Sequence, residues 1–471
     1  MKFINWEVQM YRYHLLVLTL FVFTLSGCVS YEAKPLTPQE IIREVEVSRQ
    51  QLLLAPEETF TFTVAATRMS EHSPLLAQLK AEYATVAAVA DITTPWSNPS
   101  IEVGQDLGLN LPAGAINKRQ PFISLGFSVP IGGRLARQDD LNAAYARGAF
   151  LEVNITHREL FLALRKHYID LNLAKGREVV QHDIYFQVSQ MANLSEALQQ
   201  AGAMTALDVG MMALAESQAS LDLLSVKEEG VAIYSTISTF MGIDAKQFDA
   251  LPSNTLGNIT ETPPTYDALK ALMVIHSPQL IRLRHKYDVA ELALRLAISK
   301  QYPDISFGGE REKDVGEKTA MLGLRVGIEL PIFDRNQQGI AQAEHHRDEV
   351  RQMYVTTAHT ILAQLRRALD AVSLSEQRKK LLHEILLPQS KRNLKIAQQA
   401  LTLGSIDALK YLEVKRAQQE VLKEVMLVQN DLWKSWIALE QAVGYPLLKL
   451  TSDDDSHYPP LSLNKEIKDE K

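Results

Sequence analysis

The sequence is nearly without cysteine: among its 471 residues only Cys28 is one. A single cysteine excludes internal disulfide bonds and any metal site built from several thiolates. Positive charge is not in excess either, because 49 Lys and Arg residues stand against 56 Asp and Glu residues, which gives a net charge of −7. This balance, without any basic tract, argues against a nucleic-acid partner.

Long apolar runs are absent except near the N-terminus, where residues 14–23 follow Arg12. This run is shorter than the ~20 apolar residues of a spanning helix, and it has the size of a signal-peptide core. It ends in Leu25-Ser26-Gly27-Cys28, which resembles the lipobox of bacterial lipoproteins. The resemblance implies removal of residues 1–27 and acylation of Cys28. Either Met1 or Met10 could start this signal.

Catalytic motifs are also missing. The sequence has no His-Glu-x-x-His run, no P-loop and no Gly-x-Ser-x-Gly elbow. The pair His345-His346 is a poor metal chelator, because adjacent residues on a helix point about 100° apart. We therefore predict that the protein is not an enzyme and holds no cofactor and no metal.

The chain repeats its landmarks at an offset of about two hundred residues, which indicates a duplicated unit. Each copy runs through a helix, two short alternating segments, a very long helix, a glycine break and another helix. The matching pairs are His72-Ser73-Pro74 with His276-Ser277-Pro278, Asn98-Pro99-Ser100-Ile101 with Tyr302-Pro303-Asp304-Ile305, Val129-Pro130-Ile131 with Leu330-Pro331-Ile332, Gly202 with Gly404, and Met241-Gly242 with Val443-Gly444.

Four short segments alternate apolar with small or polar residues, two of them in each copy. A period of two over about 10 residues is typical of a membrane β-strand, with one face toward lipid and the other toward a watery lumen. The residues predicted to face the lumen are Ser124, Ser128, Arg325 and Glu329.

The two alternating segments of each copy are joined by a polar stretch that suits a hairpin, from Gly104 to Gln120 and from Gly308 to Thr319. A half-buried soluble sheet is the alternative, but two isolated hairpins would leave open edges. Four strands cannot close a spanning barrel, for which about 8 are needed. Three copies that each contribute four strands would give twelve.

Two stretches predict helices far longer than those of globular proteins. Residues 134–201 contain no proline, and residues 335–403 contain only Pro388, which should kink or break the helix. About 65 helical residues measure roughly 100 Å, a length that indicates coiled-coil packing. A plain two-helix coil in solvent is the alternative. The second stretch carries an apolar stripe at Val350, Tyr354, Thr357, Ile361, Leu365, Ala368 and Val372.

Each long helix is followed by a glycine break that should reverse the chain. Gly202 and Gly404 suit left-handed helix ends, while Thr205 and Asp407 can cap the helices that follow. Those helices are predicted to end near Phe240 and Gln441.

Together these motifs resemble the TolC family of outer-membrane efflux channels across nearly all of the mature length. The Asn-Pro start, the Gly-Gly-Arg run and the Pro-Ile-Phe-Asp-Arg-Asn run look most like the branch that serves cobalt-zinc-cadmium cation pumps. The residues that carry the resemblance are Asn98–Val103, Phe127–Arg134, Tyr302–Ile305, Leu330–Gln337 and Leu403–Leu409.

The resemblance implies a mainly α fold with membrane β-strands, in which two tandem repeats give four strands and long coiled helices per protomer. A homotrimer would form a 12-stranded barrel in outer-membrane lipid, continuous with a 12-helix periplasmic tunnel. It would conduct substrate passively for an inner-membrane RND-type pump, coupled through a periplasmic adaptor protein.

The resemblance also assigns roles to individual residues. The periplasmic tip that docks the adaptor would be formed by Gly202, Thr205, Leu403, Gly404 and Ser405. Asp208 and Glu413 match the polar contacts that close the tip. Lys410 stands where the best-known members often have an acidic residue.

The predicted domains follow from the landmarks and the resemblance. They are residues 1–27 (signal peptide), 28–70 (acylated N-terminal part of an equatorial girdle), 71–242 (repeat 1, with a hairpin at about 98–131, a long helix 134–201 and a helix 205–240), 243–267 (linker between the repeats), 268–444 (repeat 2, with a hairpin at about 302–332, a long helix 335–403 and a helix 406–441) and 445–471 (C-terminal tail).

Three alternatives remain open at this point. The exported substrate could be an organic compound rather than a heavy-metal cation, because a wide water-filled tunnel discriminates little. A periplasmic adaptor lipoprotein would also have an acylated cysteine and a long helical hairpin, but only one copy of it. A cell-envelope hydrolase would need a nucleophile–base pair that the sequence does not offer.

Overall fold

The computed structural model describes residues 31–51, 60–107, 119–202, 204–244, 259, 261–314, 319–406 and 408–448. The chain divides into two units at residues 52 and 53. In the first unit the described part contains one amphipathic helix, α1 (Pro38–Gln51). All other elements belong to the second unit.

The second unit is built mostly from helices, with four strands among its described residues. This confirms the predicted fold class of a mainly helical chain with few strands. In chain order the elements are α2 (Phe62–His72), α3 (Pro74–Ala90), β1 (Ser100–Leu107), β2 (Arg119–Pro130), α4 (Arg134–Gln200), α5 (Ala206–Met241), α6 (Tyr266–His276), α7 (Pro278–Ser299), β3 (Asp304–Asp314), β4 (Thr319–Ile328), α8 (Gln337–Leu381), a π turn (Leu382–Leu386), α9 (Leu387–Thr402) and α10 (Ala408–Val443).

The four strands form one antiparallel sheet in the order β1-β2-β3-β4. The hairpins of the two repeats therefore meet at the β2–β3 boundary, where Phe127 lies opposite Phe307. The loops predicted from Gly104 to Gln120 and from Gly308 to Thr319 are shorter than expected, because the strands continue into the polar sequence. β3 runs on to Asp314 through a charged stretch that pairs with β4 throughout and with β2 as far as Glu312.

The first long helix, α4, is continuous over 67 residues, about 100 Å at 1.5 Å per residue. In the second repeat the π turn interrupts the corresponding helix and ends at Leu386, two residues before Pro388. A proline lacks the N–H that would bond the preceding turn, and a π turn accommodates that loss. The helix is therefore interrupted where Pro388 predicted a break.

The apolar stripe predicted on α8 is confirmed in large part. Val350, Ile361, Leu365, Ala368 and Val372 are all buried, and the other two members of the stripe are half-buried. Helix α8 packs on α7 and α10, as expected for coiled-coil packing along one face. Among the described residues, none of the helices combines the length and the apolar character required to cross a bilayer.

The largest buried side chains gather around α4 and α10. Phe62 packs edge-on against Phe161 on α4, with ring centroids 5.2 Å apart, and Trp433 and Trp436 of α10 are almost fully buried. Arg165 lies within this apolar group and forms an ion pair with Glu440 at 2.8 Å, both side chains being about 1% exposed. The core thus joins the long helix of repeat 1 to the last helix of repeat 2.

Two glycines at helix ends, Gly242 and Gly444, contact the His-Ser-Pro segments. This contact explains why both landmarks recur in the two repeats. Gly242 and Gly444 have left-handed backbones, with φ of 69° and 77°. A Cβ at Gly242 would lie 2.9 Å from the carbonyl oxygen of His72, and a Cβ at Gly444 would lie 2.5 Å from that of His276. The end of α5 therefore packs against the His-Ser-Pro segment before α3, and the end of α10 packs against the corresponding segment before α7.

We expect Gly444→Ala to destabilise the protein by about 2–3 kcal/mol, because a left-handed alanine is strained and its methyl group would overlap backbone. Gly404→Ala is the matched control: its φ is 67° and nothing lies within 4 Å of the added methyl, so only about 1 kcal/mol of conformational strain applies. Thermal unfolding of the purified protein, followed by circular dichroism, measures both. Equal losses in the two variants would contradict the packing argument.

Candidate functional site

The sheet has one apolar face. Along β2, Ile123, Leu125 and Phe127 point the same way, and the ring of Phe127 stacks on that of Phe307 at 5.2 Å. The register carries this alternation across all four strands, because directly opposed residues share a face. The large apolar side chains exposed on this face are Ile101, Val103, Leu107, Ile123, Leu125, Phe127, Leu322, Leu324, Val326 and Ile328. Such a contiguous exposed patch marks a membrane or protein contact.

The opposite face of the sheet is polar and includes three of the four residues predicted to face a lumen. Ser124 lies opposite Glu310, Ser128 lies on the same face of β2, and Arg325 of β4 forms an ion pair with Glu310. Glu329 is placed differently, because the β3–β4 ladder ends at the pair of Ile305 with Ile328. It lies just beyond the strand, so its lumen role stays a prediction.

Where β2 passes into α4, the two repeats contact each other through their landmark residues. Arg134, at the start of α4, donates to the Asp304 carboxylate at 2.9 Å. Gly132 has a φ of 83°, and a Cβ there would lie 2.7 Å from the Tyr302 ring. The Gly-Gly-Arg run of repeat 1 and the Tyr-Pro-Asp run of repeat 2 thus form one junction between strand and helix.

The junction between β4 and α8 is built from local hydrogen bonds instead. The Asn336 backbone has a left-handed φ of 58°, and its N–H donates to the Asp334 carboxylate at 2.8 Å. The Asn336 side-chain amide donates to the carbonyl oxygen of Ala297 on α7, also at 2.8 Å. The Phe-Asp-Arg-Asn-Gln run therefore sets how the chain leaves the sheet and enters the second long helix.

The predicted tip residues lie at the two glycine turns. Gly202 and Gly404 have φ of 72° and 67°, and a Cβ at either would meet open space. Leu403 is 81% exposed, and the Ser405 N–H donates to the Ala400 carbonyl oxygen at 2.8 Å, which closes the helix end. Thr205 caps α5 in a capping box. Docking at these turns stays a prediction.

Both predicted gate carboxylates have partners three residues before them in the sequence. Asp208 accepts a hydrogen bond from the Thr205 hydroxyl at 2.6 Å. Glu413 forms an ion pair with Lys410 at 2.7 Å, and both side chains are well exposed. Lys410 therefore offsets part of the negative charge at this end of α10. A gating role for either carboxylate stays a prediction.

A charged cluster that the sequence reading missed joins the repeats along α4. The Arg282 guanidinium on α7 bonds the carboxylates of Glu152 and Glu159 at 2.6–3.0 Å. Its hydrogen bonds hold the pKa of Glu152 below the usual range. Glu152 and Glu159 are seven residues apart and therefore lie on one helix face. This spacing was the only local indication in the sequence that they could share a basic partner. The cluster fixes α7 against α4.

Other predicted features lie outside the described residues. The signal peptide, Cys28 and most of the C-terminal tail fall outside the described residues. On α8, His346 Nδ1 lies 3.1 Å from Glu349. The described residues contain no group of three or more side chains that could hold a metal ion.

Comparison with known sequences adds two findings. Residues 272–445 match the family described as "Outer membrane efflux protein". The cobalt-zinc-cadmium resistance protein CzcC of Cupriavidus metallidurans is 24% identical over 233 residues, which cover 49% of this chain and 52% of CzcC. The match thus spans about half the length of that curated relative.

Solved structures resemble the whole architecture. A membrane protein from Pseudomonas aeruginosa superposes with a TM-score of 0.66 at 17% identity, covering 89% of this chain and 97% of the other. The CmeC outer membrane channel of Campylobacter jejuni gives 0.67 at 14% identity, with 94% of both chains covered. At these identities the likeness shows the fold alone.

Proposed function

We propose that this chain, whose residues 272–445 match the outer membrane efflux protein family, forms the outer-membrane channel of a three-part RND-type efflux system. It conducts substrate passively from an inner-membrane pump and a periplasmic adaptor to the exterior. The favoured substrate class is heavy-metal cations. Residues 1–27 serve as the signal, and Cys28 carries the lipid anchor.

The observation that carries this proposal is the two-faced sheet. Its apolar face exposes ten large aliphatic and aromatic side chains, which is the arrangement of a lipid-facing strand surface. Its other face carries mainly small, polar and charged residues, together with Phe122 and Met321, and suits a water-filled lumen. β2 enters the long helix α4 after only three residues, 131–133. A lumen at the sheet can therefore continue directly into a helical tunnel.

The proposal requires several copies of the chain. Within one copy, β1 and β4 are the edges of the sheet, and an open edge in lipid leaves backbone groups unpaired. Four strands are too few for a spanning barrel, for which 8 is the usual minimum. A homotrimer closes twelve strands. The helices support this, because α5 keeps an exposed apolar stripe at Leu207, Met211, Leu214, Leu221 and Leu224.

The charge of the polar face favours cations. Glu102, Asp106, Glu310 and Glu312 lie on this face, and Arg325 is the basic residue among its described members. A lumen lined by one sign of charge raises the local concentration of the opposite ion. No tight site is needed, because tight binding would slow the exit of the ion. The likeness to CzcC supports the same substrate class.

The glycine turns are proposed as the docking end for the adaptor. Both turns expose backbone with open space around the glycines, and Leu403 offers an apolar contact at one of them. Docking would open the closed end only if the adaptor binds the open state more tightly than the closed state. Asp208 lies close by on the first turn of α5, and Glu413 on the second turn of α10.

Deletion of the gene is expected to make the host cell more sensitive to Co²⁺, Zn²⁺ and Cd²⁺ without changing its resistance to organic dyes. Growth inhibition measured with and without the restored gene tests this. Increased sensitivity to dyes alone would assign the channel to organic compounds instead. A protein that fractionates with the inner membrane would support the adaptor alternative and overturn the channel.

The same assay tests the tip. Gly404→Pro removes the N–H that donates to Leu401 at 3.0 Å and forbids the left-handed φ. It should abolish metal export while the protein remains in the outer membrane. Gly404→Asn, which tolerates this φ, is the matched control and should keep most of the activity. Unaltered export by Gly404→Pro would remove the docking role.

A further inference from the structure

The edge strands β1 and β4 have no partner strand on their outer sides within the described residues of one copy. The duplicated sequence indicates which strand each of them should pair with in an assembly. β2 of repeat 1 pairs with β3 of repeat 2 inside one chain. By the duplication, β4 corresponds to β2, and β1 corresponds to β3. In a closed assembly of identical copies, β4 of one copy should therefore pair with β1 of the next as β2 pairs with β3.

The landmarks at the helical end of the sheet fix the register. Pro130 lies opposite Asp304 in the observed ladder. Pro130 corresponds to Pro331 at an offset of 201, and Asp304 corresponds to Ser100 at an offset of 204. Antiparallel pairing that sets Pro331 opposite Ser100 then sets Val326 opposite Gln105 and Arg325 opposite Asp106.

We propose that β4 pairs antiparallel with β1 of a second copy of this chain, in the register that places Arg325 opposite Asp106 of the partner subunit. The inference rests on the proposed channel function and specifies its subunit contact. Arg325 already contacts Glu310 of its own strand pair. The proposed register adds a second carboxylate on the other side of the guanidinium.

The faces of the two strands agree with this register. Along β4 the apolar face carries Leu324, Val326 and Ile328, and along β1 it carries Val103 and Leu107. The register sets Ile328 opposite Val103 and Leu324 opposite Leu107. A shift by one residue would turn every side chain to the wrong face. Arg325 and Asp106 lie on the polar face, where opposite charges across strands attract.

Side-chain volumes where the strands meet the helices also fit the proposed subunit contact. Inside the chain, the small Gly132 lies against the large Tyr302. The corresponding pair across the contact is Phe333 with Asn98, which is large against small. Phe333 is 92% exposed in one copy. Its exposure is explained if the partner subunit covers it.

Cysteine pairs test the register directly. Opposed residues in an antiparallel ladder have Cα atoms about 4.5–5.5 Å apart, which a disulfide can bridge. Diagonal neighbours lie farther apart, at about 7–8 Å. We expect Val326→Cys with Gln105→Cys to form linked dimers and closed trimers under oxidation, seen on a denaturing gel without reductant. Each single variant, which keeps the natural Cys28, should stay unlinked.

A register shifted by two residues is the main alternative, because the landmark offsets miss the register of the second hairpin by that amount. Ser100 pairs with Gly126 in the first hairpin, and the landmark offsets would then pair Asp304 with Gly327. The observed ladder pairs Ile305 with Ile328, a displacement of two residues. Linkage of Val326→Cys to Val103→Cys or Leu107→Cys instead would overturn the Arg325–Asp106 contact while leaving the channel intact. No linkage by any pair, with a monomeric protein, would overturn the channel itself.

A charge exchange provides a second measurement. Arg325→Asp should lower the temperature at which the native oligomer dissociates, because three carboxylates would then gather on one face. Combining it with Asp106→Arg should restore the temperature, while combining it with Glu102→Arg should not. Equal restoration by both would contradict the assigned pair.

Discussion

Glu440→Ala is expected to lower the free energy of unfolding by about 3–5 kcal/mol, because it leaves a charged guanidinium buried without its partner. Glu440 accepts hydrogen bonds from Arg165 Nε at 2.8 Å and from the backbone N–H groups of Leu447 and Leu448 at 2.8 and 2.9 Å. Arg165 also donates to the Leu448 carbonyl oxygen. The substitution therefore releases the segment after α10 as well as the charge. Thermal unfolding of the purified protein measures the loss.

Glu413→Ala is the matched control for this prediction. It removes a glutamate from the same helix and breaks an ion pair of similar length, at 2.7 Å to Lys410, but both partners are about two-thirds exposed. Exposed pairs contribute about 0–1 kcal/mol. The difference between the two variants thus isolates burial. If Glu440→Ala were as mild as Glu413→Ala, the buried pair would not hold the repeats together. Arg165→Met with Glu440→Met should recover part of the loss, since it removes both charges.

The elements that could be predicted from the sequence are those with local signals. The alternation at Ile123–Val129 defines a strand with two faces, and the glycine followed by Thr205 defines a helix end and a helix start. These signals depend on neighbouring residues only. The interruption of the second long helix also has a local cause in Pro388.

The strand ends were harder to predict, because charged residues usually indicate a loop but can also belong to a strand that faces a lumen. Glu310, Arg311 and Glu312 suggested a loop, yet they belong to β3. Glu310 and Glu312 lie on the polar face, where charged residues are stable because that side of the strand can meet water, whereas Arg311 lies on the other face opposite Ile123. Pairing with β4, which no local pattern reveals, carries β3 on to Asp314.

The contacts that join the repeats could not be predicted. Arg165 and Glu440 are 275 residues apart, and Arg282 is 130 residues from Glu152. A lone arginine or glutamate on a long helix is usually solvated, so neither sequence position indicates a partner. Only the packing of α4 against α7 and α10 brings these groups together.

Stability is expected to fall by about 3 kcal/mol as the pH decreases from about 6.5 to about 4, because His157 is buried in its neutral form. Burial lowers the pKa of His157 from 6.5 to about 4, and the nearby charges of Lys80 and Arg158 act in the same direction. Ser70 on α2 lies 2.8 Å from its Nε2. Within this window the unfolded chain binds a proton that the folded protein excludes, so unfolding becomes more favourable.

His157→Gln removes the titrating ring and should flatten this part of the profile. The measurement is the unfolding temperature at pH 7, 5.5 and 4.5 for the natural protein and the variant. The comparison is needed because His167 and His276 also have pKa values lowered by burial. Glu152 acts in the opposite sense: its lowered pKa stabilises the protein above pH 4.5, and that contribution is lost only below this value. If the unfolding temperature fell equally with pH in both proteins, folding would not lower the pKa of His157, and this prediction would be wrong.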